Sequence, residues 1–381
     1  ECTTRQDKNE IGVNFANQFK KIEYVPMVWS SNSYSNTLSK VQTAKNNGYK
    51  TILGFNEPDF KDQANMNVAT AISCWPAFMN QGMRVGSPAT GTWPTTNTWF
   101  QNFMRQIDSN SSLDVDFITI HCYPENYAGK DGANWFLTNV VEACWNKYHK
   151  PIWITEYGYS SNYEDVNSYL EQGAYIAQAY PLILSTGIVD RYYHYCLLDK
   201  NTNIRADRES NFGIMRDRLT YPLPYMVPYG AKPAYLMVSQ MNHMYADSEY
   251  IDEIKLNDTS IILRFKNKKT GKQFGVMYSN RENGQLATLK LGTDKLTLYD
   301  SYGNAEEISG VKGVYSFDLN KRVQYIEGDF TSFECTEGGV YPEQIAISVT
   351  YGKDADIKIK NYIFSFINLY NSVALLNEHV L

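Results

Sequence analysis

The sequence predicts an α/β fold, a (β/α)8 TIM barrel followed by an antiparallel β-sandwich, from two patterns along the chain. The first is a series of short, β-rich apolar runs at intervals of 29, 32, 32, 36 and 38 residues, which begin near Ile22, Thr51, Met83, Val115, Pro151 and Val189. Strand–helix–strand repeats of about 30 residues are typical of βα units and a parallel sheet. Because no glycine-rich phosphate loop is present, six such units favour a barrel over a doubly wound sheet.

The second pattern starts near residue 246, where short alternating strands replace the βα units. Helix-like stretches occupy the earlier gaps at 37–47, 66–81, 99–108, 132–148 and 166–186, and a further one lies at 234–245. Alternating strands separated by turn residues then predict an antiparallel sandwich, at 253–256, 260–266, 272–279, 287–291, 296–300, 314–318 and 323–327. Two more strands are predicted at 345–351 and 355–360. We therefore expect a barrel domain at 1–246, a sandwich at 247–330, and the start of a further β-rich module or a tail at 331–381.

Composition limits the classes of partner. The 381 residues include 35 Lys and Arg against 41 Asp and Glu, so a basic face for nucleic acid is not expected. No run approaches the roughly 18 apolar residues that a membrane span requires. Motifs of metalloproteases, α/β-hydrolases, P-loop and dinucleotide-binding proteins are absent. Aromatic residues make up 14% of the chain, which fits either an aromatic-rich core or a surface on which sugar rings stack.

Two carboxylates occupy the ends of predicted parallel strands. Glu57 ends the run 51–57, and Glu156 ends the run 151–156. In a βα barrel the carboxyl ends of the strands carry the catalytic loops. Two acids at one barrel mouth can divide the roles of proton donor and nucleophile. The alternative for each acid is a solvated residue at a strand end.

The alternation of side chains along these strands predicts which residues face the barrel interior. Successive side chains of a strand point to opposite faces. On this basis we expect Phe55 to face inward together with Glu57. Ile152 and Ile154 are expected to face inward together with Glu156. Trp153 is then expected to face the helices.

Further residues near strand ends are candidates for binding sugar. His121 and Tyr123 share a parity at the end of the run 117–123, so both can face the barrel mouth. His121 could hydrogen-bond a catalytic carboxylate or a sugar hydroxyl; a core histidine bonded to a backbone carbonyl is the alternative. Trp29, Trp93 and Tyr195 are candidate stacking platforms, with core packing as their alternative.

Two motifs and their order along the chain resemble a known group of enzymes. Residues 54–59, Gly-Phe-Asn-Glu-Pro-Asp, resemble the acid/base strand of clan A glycoside hydrolases, and residues 153–158, Trp-Ile-Thr-Glu-Tyr-Gly, resemble their nucleophile strand. The fuller set is similar to family 128, the endo-β-1,3-glucanases. That set also includes Val-Pro-Met-Val-Trp at 25–29, Ser-Pro-Ala at 87–89, and Asp-Phe-Ile with His-Cys-Tyr between 116 and 123.

The resemblance implies a mechanism and a substrate. By it, Glu57 is the acid/base, Glu156 is the nucleophile, and Asn56 is a ligand of the sugar 2-hydroxyl. It implies a retaining hydrolase of a β-linked polysaccharide, most closely a β-1,3-glucan, that uses no metal or organic cofactor. We expect a monomer that acts on polysaccharide or oligosaccharide, and that is secreted or attached to the cell surface.

The sequence departs from family 128 at both ends of the barrel. In clan A the acid/base closes the fourth strand, yet only about 21 residues precede the strand at Ile22, so the first two strands are expected to be missing or shortened. Residues 1–21 would then cover the open edge. Residues 192–199, 211–215 and 232–235 resemble clan A members with an attached sandwich, such as family 39. The alternative is a non-catalytic carbohydrate-binding protein built on a degenerate barrel.

Overall fold

The computed structural model describes most of the chain between residues 23 and 339. The described ranges are 23–123, 135–161, 166–200, 208–216, 230–257, 259–282 and 284–339, followed by four short strands. Among them are six α-helices: α1 Tyr34–Asn46, α2 Val68–Cys74, α3 Thr98–Asp108, α4 Ala143–Tyr148, α5 Val166–Ser185 and α6 Pro233–Tyr245. A turn of π-helix at Leu137–Glu142 leads into α4. Within these ranges no helix is long and apolar enough to span a bilayer.

Six segments of the first half run parallel, each beside the next one in sequence. The strands are β1 Thr51–Ile52, β2 Arg84–Val85, β3 Ile118–Cys122, β4 Ile152–Tyr157 and β5 Val189–His194. Met27 pairs with Leu53, β1 with β2, and Gly86 with Phe117, all in parallel. β3, β4 and β5 then form a parallel sheet in that order. The predicted succession of parallel strands is therefore confirmed.

The helices of this region begin where a polar side chain caps the first turn. The side chains of Ser33, Asn67 and Asn97 accept hydrogen bonds from backbone amides in the first turns of α1, α2 and α3. Such caps satisfy N–H groups that have no partner within the helix. The buried faces of these helices pack on strand residues such as Ile118 and Ile152.

The opposite face of the strands carries a separate apolar cluster. It contains Val25, Met27, Leu53, Phe117 and Trp153. The rings of Phe117 and Trp153 stack with centroids 4.0 Å apart. The predicted orientation of Trp153 toward the helices is therefore wrong.

The three apolar residues predicted to face the barrel interior face the helices instead. Phe55, Ile152 and Ile154 belong to the cluster that the helices cover. The simple alternation fails because the backbone departs from regular strand geometry next to each acid, as the site below shows.

The C-terminal half is an antiparallel sandwich of two sheets. Its strands are β6 Ser248–Asn257, β7 Ser260–Asn267, β8 Gln273–Ser279, β9 Gln285–Lys290, β10 Lys295–Tyr299, β11 Ala305–Ser309, β12 Val314–Leu319, β13 Gln324–Gly328 and β14 Glu334–Gly339. One sheet has the order β11-β10-β13-β8-β7-β6 and the other β12-β9-β14. A core that includes Ile262, Leu289 and Phe317 lies between them. The predicted sandwich is confirmed, although the charged edge strand β11 was not predicted.

The sandwich packs directly on α5 and α6. The ring of Tyr245, at the end of α6, lies 5.2 Å from Phe265 and 5.6 Å from Phe274. Gln178 of α5 and Asn280 exchange two side-chain hydrogen bonds of 3.0 Å. The two halves therefore share one apolar core.

Strand pairing continues beyond the predicted sandwich boundary at residue 330. β14 pairs with β9, so the sandwich reaches at least Gly339 and the predicted boundary is too early. Further on, β15 Ile345–Ile347 pairs with β18 Ala374–Leu376, and β16 Ala355–Ile359 with β17 Tyr362–Phe366. The predicted strands at 345–351 and 355–360 are thus present, in shorter form.

A buried ion pair holds the start of α6 against the end of the parallel sheet. Lys232 Nζ lies 2.6 Å from Asp199 Oδ1 and donates to Ser161 Oγ at 3.0 Å, and both charged side chains have no exposed surface. Burial lowers the pKa of Lys232 and raises the pKa of Asp199, although the opposite charge of each partner reduces both effects. The pair is consequently sensitive to the loss of either member.

We expect Lys232→Met to lower the free energy of unfolding by about 3–5 kcal/mol, because it leaves a buried carboxylate without its counter-charge. The change is measured by urea unfolding. The double variant Lys232→Met/Asp199→Leu should recover much of the loss. Lys295→Met is the control, since the Lys295–Glu307 pair has the same 2.6 Å separation at an exposed position and should contribute nothing measurable. Equal losses in the two lysine variants would contradict this prediction.

Candidate active site

One cleft at the carboxyl ends of the parallel strands contains all eight predicted site residues. It has a volume of about 1120 Å³, and its lining includes Trp29, Asn56, Glu57, Trp93, His121, Tyr123, Glu156 and Tyr195. The carboxyl ends of parallel strands are where ligands bind in α/β folds. The structure therefore brings together residues that lie as far as 166 positions apart in sequence.

The chain turns sharply at Glu57 and so directs its side chain into the cleft. Its backbone N–H donates to the carbonyl of Ala89 at 2.6 Å, which places it at the end of its strand. Its φ of 40° lies in the left-handed region, which residues other than glycine seldom adopt. This turn breaks the alternation, so Phe55 packs under the helices while Glu57 faces the cleft.

A bulge in β4 directs the side chain of Glu156 into the cleft. Ile154 pairs with Ile120, but the next pair is Glu156 with His121, so Thr155 is an extra residue on this strand. An extra residue reverses which face the following side chains occupy. Glu156 therefore points into the cleft on the same side as His121, whereas Ile154 faces the helices.

His121 and Tyr123 hold the two carboxylates in place. His121 Nδ1 lies 2.8 Å from Glu57 Oε1 and 3.6 Å from Glu156 Oε2. The hydroxyl of Tyr123 donates a short hydrogen bond to Glu156 Oε2. The nearest carboxylate oxygens of the two acids and His121 Nδ1 all lie within 4.8 Å of one another. The acids are thus close neighbours that share one imidazole.

The charges of the acids determine how their two neighbours ionise. Burial by itself lowers the pKa of His121, but the charges of Glu156 and Glu57 and the hydrogen bond to Glu57 outweigh it, so the pKa lies above its ordinary value. Burial and the charge of Glu156 raise the pKa of Tyr123 well above that of free tyrosine. Tyr123 is therefore a neutral hydrogen-bond donor, and His121 favours its cationic form.

The raised pKa of His121 makes stability depend on pH. Its stabilising contribution is fully present below the ordinary histidine pKa of about 6.5 and is lost as pH rises through the higher pKa of the folded state. We expect His121→Gln to lower the melting temperature more at pH 5.5 than at pH 8.5. His243→Gln, at an exposed position on α6, is the control and should show no such difference. If His121→Gln lowered the melting temperature equally at both pH values, the raised pKa of His121 would be contradicted.

Glu57, His121 and Glu156 are the one group in the described ranges with the donor atoms for a metal ion. Their donors are one imidazole nitrogen and two carboxylate oxygens, a set that suits a divalent transition metal. However, His121 Nδ1 is engaged with Glu57, and the two acids suffice for hydrolysis of a glycoside without metal. That the reaction needs no cofactor stays a prediction.

The predicted sugar-binding residues occupy different parts of the cleft. Asn56 is buried beside Glu57, and its amide donates to Gln63 Oε1 at 3.2 Å. Trp29 packs on the inner apolar cluster while lining the cleft. Trp93 lines the cleft with its ring 4.7 Å from that of Trp135, and the ring of Tyr195 lies 6.0 Å from that of Tyr123.

Several cleft residues were not predicted from the sequence. Arg208 extends its guanidinium over the ring of Tyr123, 5.2 Å from the centroid. Phe60 lines the cleft next to Gly91. Asp59, which does not itself line the cleft, accepts hydrogen bonds from the backbone of Gly91 at 2.9 Å and from the side chain of Asn97 at 2.8 Å. Asp59 is the last residue of the motif at 54–59, which assigned it no role, whereas Arg208 belongs to no motif.

Comparison with known proteins identifies the family. A family model described as "Glycosyl hydrolase catalytic core" matches residues 6–218, more than half of the chain. The chain belongs to this family. The glycosyl hydrolase match covers both acids, as the resemblance of the motifs predicted. No curated protein sequence matches the chain significantly.

Solved structures similar to this glycosyl hydrolase core include members of families 128 and 39. A family 128 (subgroup I) endo-β-1,3-glucanase of Amycolatopsis mediterranei, in complex with laminaripentaose, is 32% identical over 46% of this chain and 72% of that one, with a TM-score of 0.40. A subgroup II enzyme of Sorangium cellulosum is 25% identical over 52% and 76%, with a TM-score of 0.41.

The match to the family 39 structure extends further along the chain. A family 39 glycoside hydrolase of Bacteroides cellulosilyticus is 16% identical over 84% of this chain and 70% of that one, with a TM-score of 0.63. At such low identity, the similarity shows a shared fold alone. Because the parallel region ends before residue 246, a match over 84% of the chain includes part of the antiparallel sandwich. The predicted sandwich after the core is therefore part of the fold shared with that enzyme.

Proposed function

We propose that this protein is a retaining glycoside hydrolase that cleaves a β-1,3-glucan, with Glu156 as nucleophile and Glu57 as general acid and base. The observation that carries the proposal is the distance of at most 4.8 Å between oxygens of the two acids. Retaining enzymes hold their carboxyl groups about 5–5.5 Å apart, whereas inverting enzymes need about 6.5–9.5 Å to admit a water between acid and substrate. The short separation supports double displacement.

The surroundings of the acids suit these two roles. Protonated Glu57 donates its proton to the glycosidic oxygen as Glu156 attacks the anomeric carbon, which breaks the glycosidic bond and forms a glycosyl–enzyme ester. Tyr123, whose hydroxyl donates a hydrogen bond to Glu156 Oε2, stabilises the anionic form of Glu156 before attack. Glu57 then removes a proton from a water that hydrolyses the ester.

The choice of β-1,3-glucan rests on the ordered set of motifs that resembles family 128. Asn56 lines the cleft and is buried beside Glu57, which supports its proposed role as a ligand of the sugar 2-hydroxyl. Trp29, Trp93 and Tyr195 offer aromatic surface along the same cleft. Sugar rings present apolar C–H faces that such rings can cover.

The architecture that we propose is a barrel that lacks its first two strands in regular form. Arg191 of β5 contacts Glu23 at 3.0 Å, so the last strand and the first segment approach each other. Among the described residues no strand pairs across this gap, and residues 1–22 lie outside them. We propose domain limits of 1–246 for the catalytic region and 247 onward for the sandwich, a monomeric state, and secretion or attachment to the cell surface.

Incubation of the purified full chain with laminarin, curdlan, mannan, xylan and cellulose oligosaccharides tests the function. We expect release of reducing ends from the β-1,3-glucans, and first-formed products of β configuration by proton NMR. First-formed α products would contradict the retaining mechanism. Binding of these glucans without hydrolysis would instead favour the non-catalytic carbohydrate-binding protein.

A further inference from the structure

We infer that Phe60 is a stacking platform for a sugar ring on the leaving-group side of the cleft, and that Gly91 and Asp59 set its position. The inference rests on the proposed function and adds a binding site to it. Phe60 is 38% exposed and lines the cleft. An aromatic ring this exposed inside a cleft loses contact with water when a pyranose covers it, which favours binding.

The position of Phe60 relative to the acids assigns it to one side of the scissile bond. Its backbone N–H donates to the carbonyl of Glu57 at 3.1 Å, so the ring is attached to the turn that carries the proton donor. A proton donor to the glycosidic oxygen lies on the side of the departing sugar. Tyr195, by contrast, lies in the part of the cleft next to the nucleophile, because its N–H donates to the carbonyl of Tyr157. The leaving sugar therefore occupies the end lined by Phe60.

Gly91 allows the ring to lie where it does. A Cβ atom added at Gly91 would lie 2.2 Å from Cε2 of Phe60 and 2.5 Å from Cδ2 and Cζ, so one edge of the ring lies directly against this backbone. Contacts this short require one partner to move. Any side chain at position 91 would therefore displace the ring.

Asp59 fixes the segment that supports the ring. One carboxylate oxygen accepts the N–H of Gly91 at 2.9 Å, and the other accepts the amide of Asn97 at 2.8 Å. Asn97 in turn caps α3 by accepting the N–H of Phe100 at 2.9 Å. The segment from Gly91 to Asn97, which includes Trp93, is thereby tied to the residue just before Phe60. Asp59 is a positioning residue, and Phe60 is the contact.

The test compares a substrate that needs a leaving sugar with one that does not. Laminaripentaose places glucose units on both sides of the cleaved bond, whereas β-laminaribiosyl fluoride releases only fluoride. For Phe60→Ala we expect a loss of about tenfold in kcat/KM on laminaripentaose, the loss expected when one aromatic face no longer covers a sugar ring. Its kcat/KM on the fluoride should stay within twofold of the parent, and Phe60→Tyr should retain both activities.

Two further variants separate stacking from a general effect on folding. Gly91→Ala should reproduce the selective loss, but in the Phe60→Ala background it should add little, because the clashing ring is gone. Tyr235→Ala, also 38% exposed but outside the cleft lining, is the matched control and should change neither activity.

The outcomes are distinguishable from failure of the proposed function. If the parent protein hydrolyses neither probe, the glycosidase assignment itself is overturned. If the parent hydrolyses both and Phe60→Ala acts on laminaripentaose at the parental rate, the platform is overturned while the glycosidase assignment stands. Equal losses on both probes would also overturn it, since they would place the effect outside the leaving-group side.

Discussion

Glu156→Gln should abolish hydrolysis of β-1,3-glucan, with a loss of at least about 10⁴-fold in kcat. The amide is isosteric with the carboxylate and can keep a hydrogen bond to Tyr123, but it is a poor nucleophile toward the anomeric carbon. The fold should be unaffected, because Glu156 lies in the cleft and not in the apolar core. Circular dichroism and the urea midpoint check this alongside the initial rate on laminarin.

A chemical rescue makes this result specific to the role of Glu156. In Glu156→Ala, azide should occupy the vacated space and attack a dinitrophenyl β-glycoside, giving the α-glycosyl azide. Glu209→Gln is the control, since Glu209 lines the same cleft at a half-exposed position and should retain most activity. Substantial hydrolysis by Glu156→Gln would overturn the assignment and favour the carbohydrate-binding alternative.

Glu57→Gln should separate substrates by their leaving groups. General acid catalysis contributes about 10²–10⁴-fold, so hydrolysis of laminarin should fall by this factor. A dinitrophenolate needs no proton on departure, so the first step on a dinitrophenyl glycoside should be nearly unchanged. The second step lacks its base, and we therefore expect a burst of dinitrophenolate followed by slow turnover.

The intermediate that accumulates during this burst is the decisive observation. Intact-protein mass spectrometry should detect one glycosyl unit bound to Glu57→Gln, and azide should release it as the β-glycosyl azide. Asp62→Asn, an exposed residue of the same cleft, is the control and should show neither burst nor adduct. Equal losses on laminarin and on the aryl glycoside would show that Glu57 is not the proton donor.

The neighbourhood of the two acids explains why these effects should be large. Glu57 and Glu156 share the imidazole of His121, so each substitution also changes the charge that the other acid experiences. Residues that act as a unit give strongly non-additive losses. The double variant Glu57→Gln/Glu156→Gln should accordingly be no less active than Glu156→Gln alone.

The order and direction of the main elements can be predicted from the amino-acid sequence. Apolar runs about 30 residues apart predict parallel strands, because the intervening helix returns the chain to the end of the sheet where the previous strand began. Period-2 alternation after residue 246 predicts the sandwich because one face of each strand is buried. The ends of the parallel strands then placed Glu57, Glu156, His121 and Tyr123 in one cleft.

Some elements carry too weak a local signal to be found. Strand β11, Ala-Glu-Glu-Ile-Ser, lies at a sheet edge and is mostly exposed, so it has almost no apolar alternation. Its membership of the sheet depends on backbone pairing with β10. The sandwich boundary at 330 was placed too early for a similar reason, because β14 is recognised by its pairing with β9.

The directions of the side chains beside the acids follow from the folded chain and not from residue order. Trp153 faces the inner cluster and Ile154 the helices, because the extra residue Thr155 reverses the alternation just before Glu156. The left-handed backbone at Glu57 has the same effect after Phe55. A bulge and a positive φ depend on hydrogen bonds to neighbouring strands, which residue spacing along one strand does not encode. For the same reason the contacts of His121 with both acids, and of Asp59 with Gly91, required the folded chain.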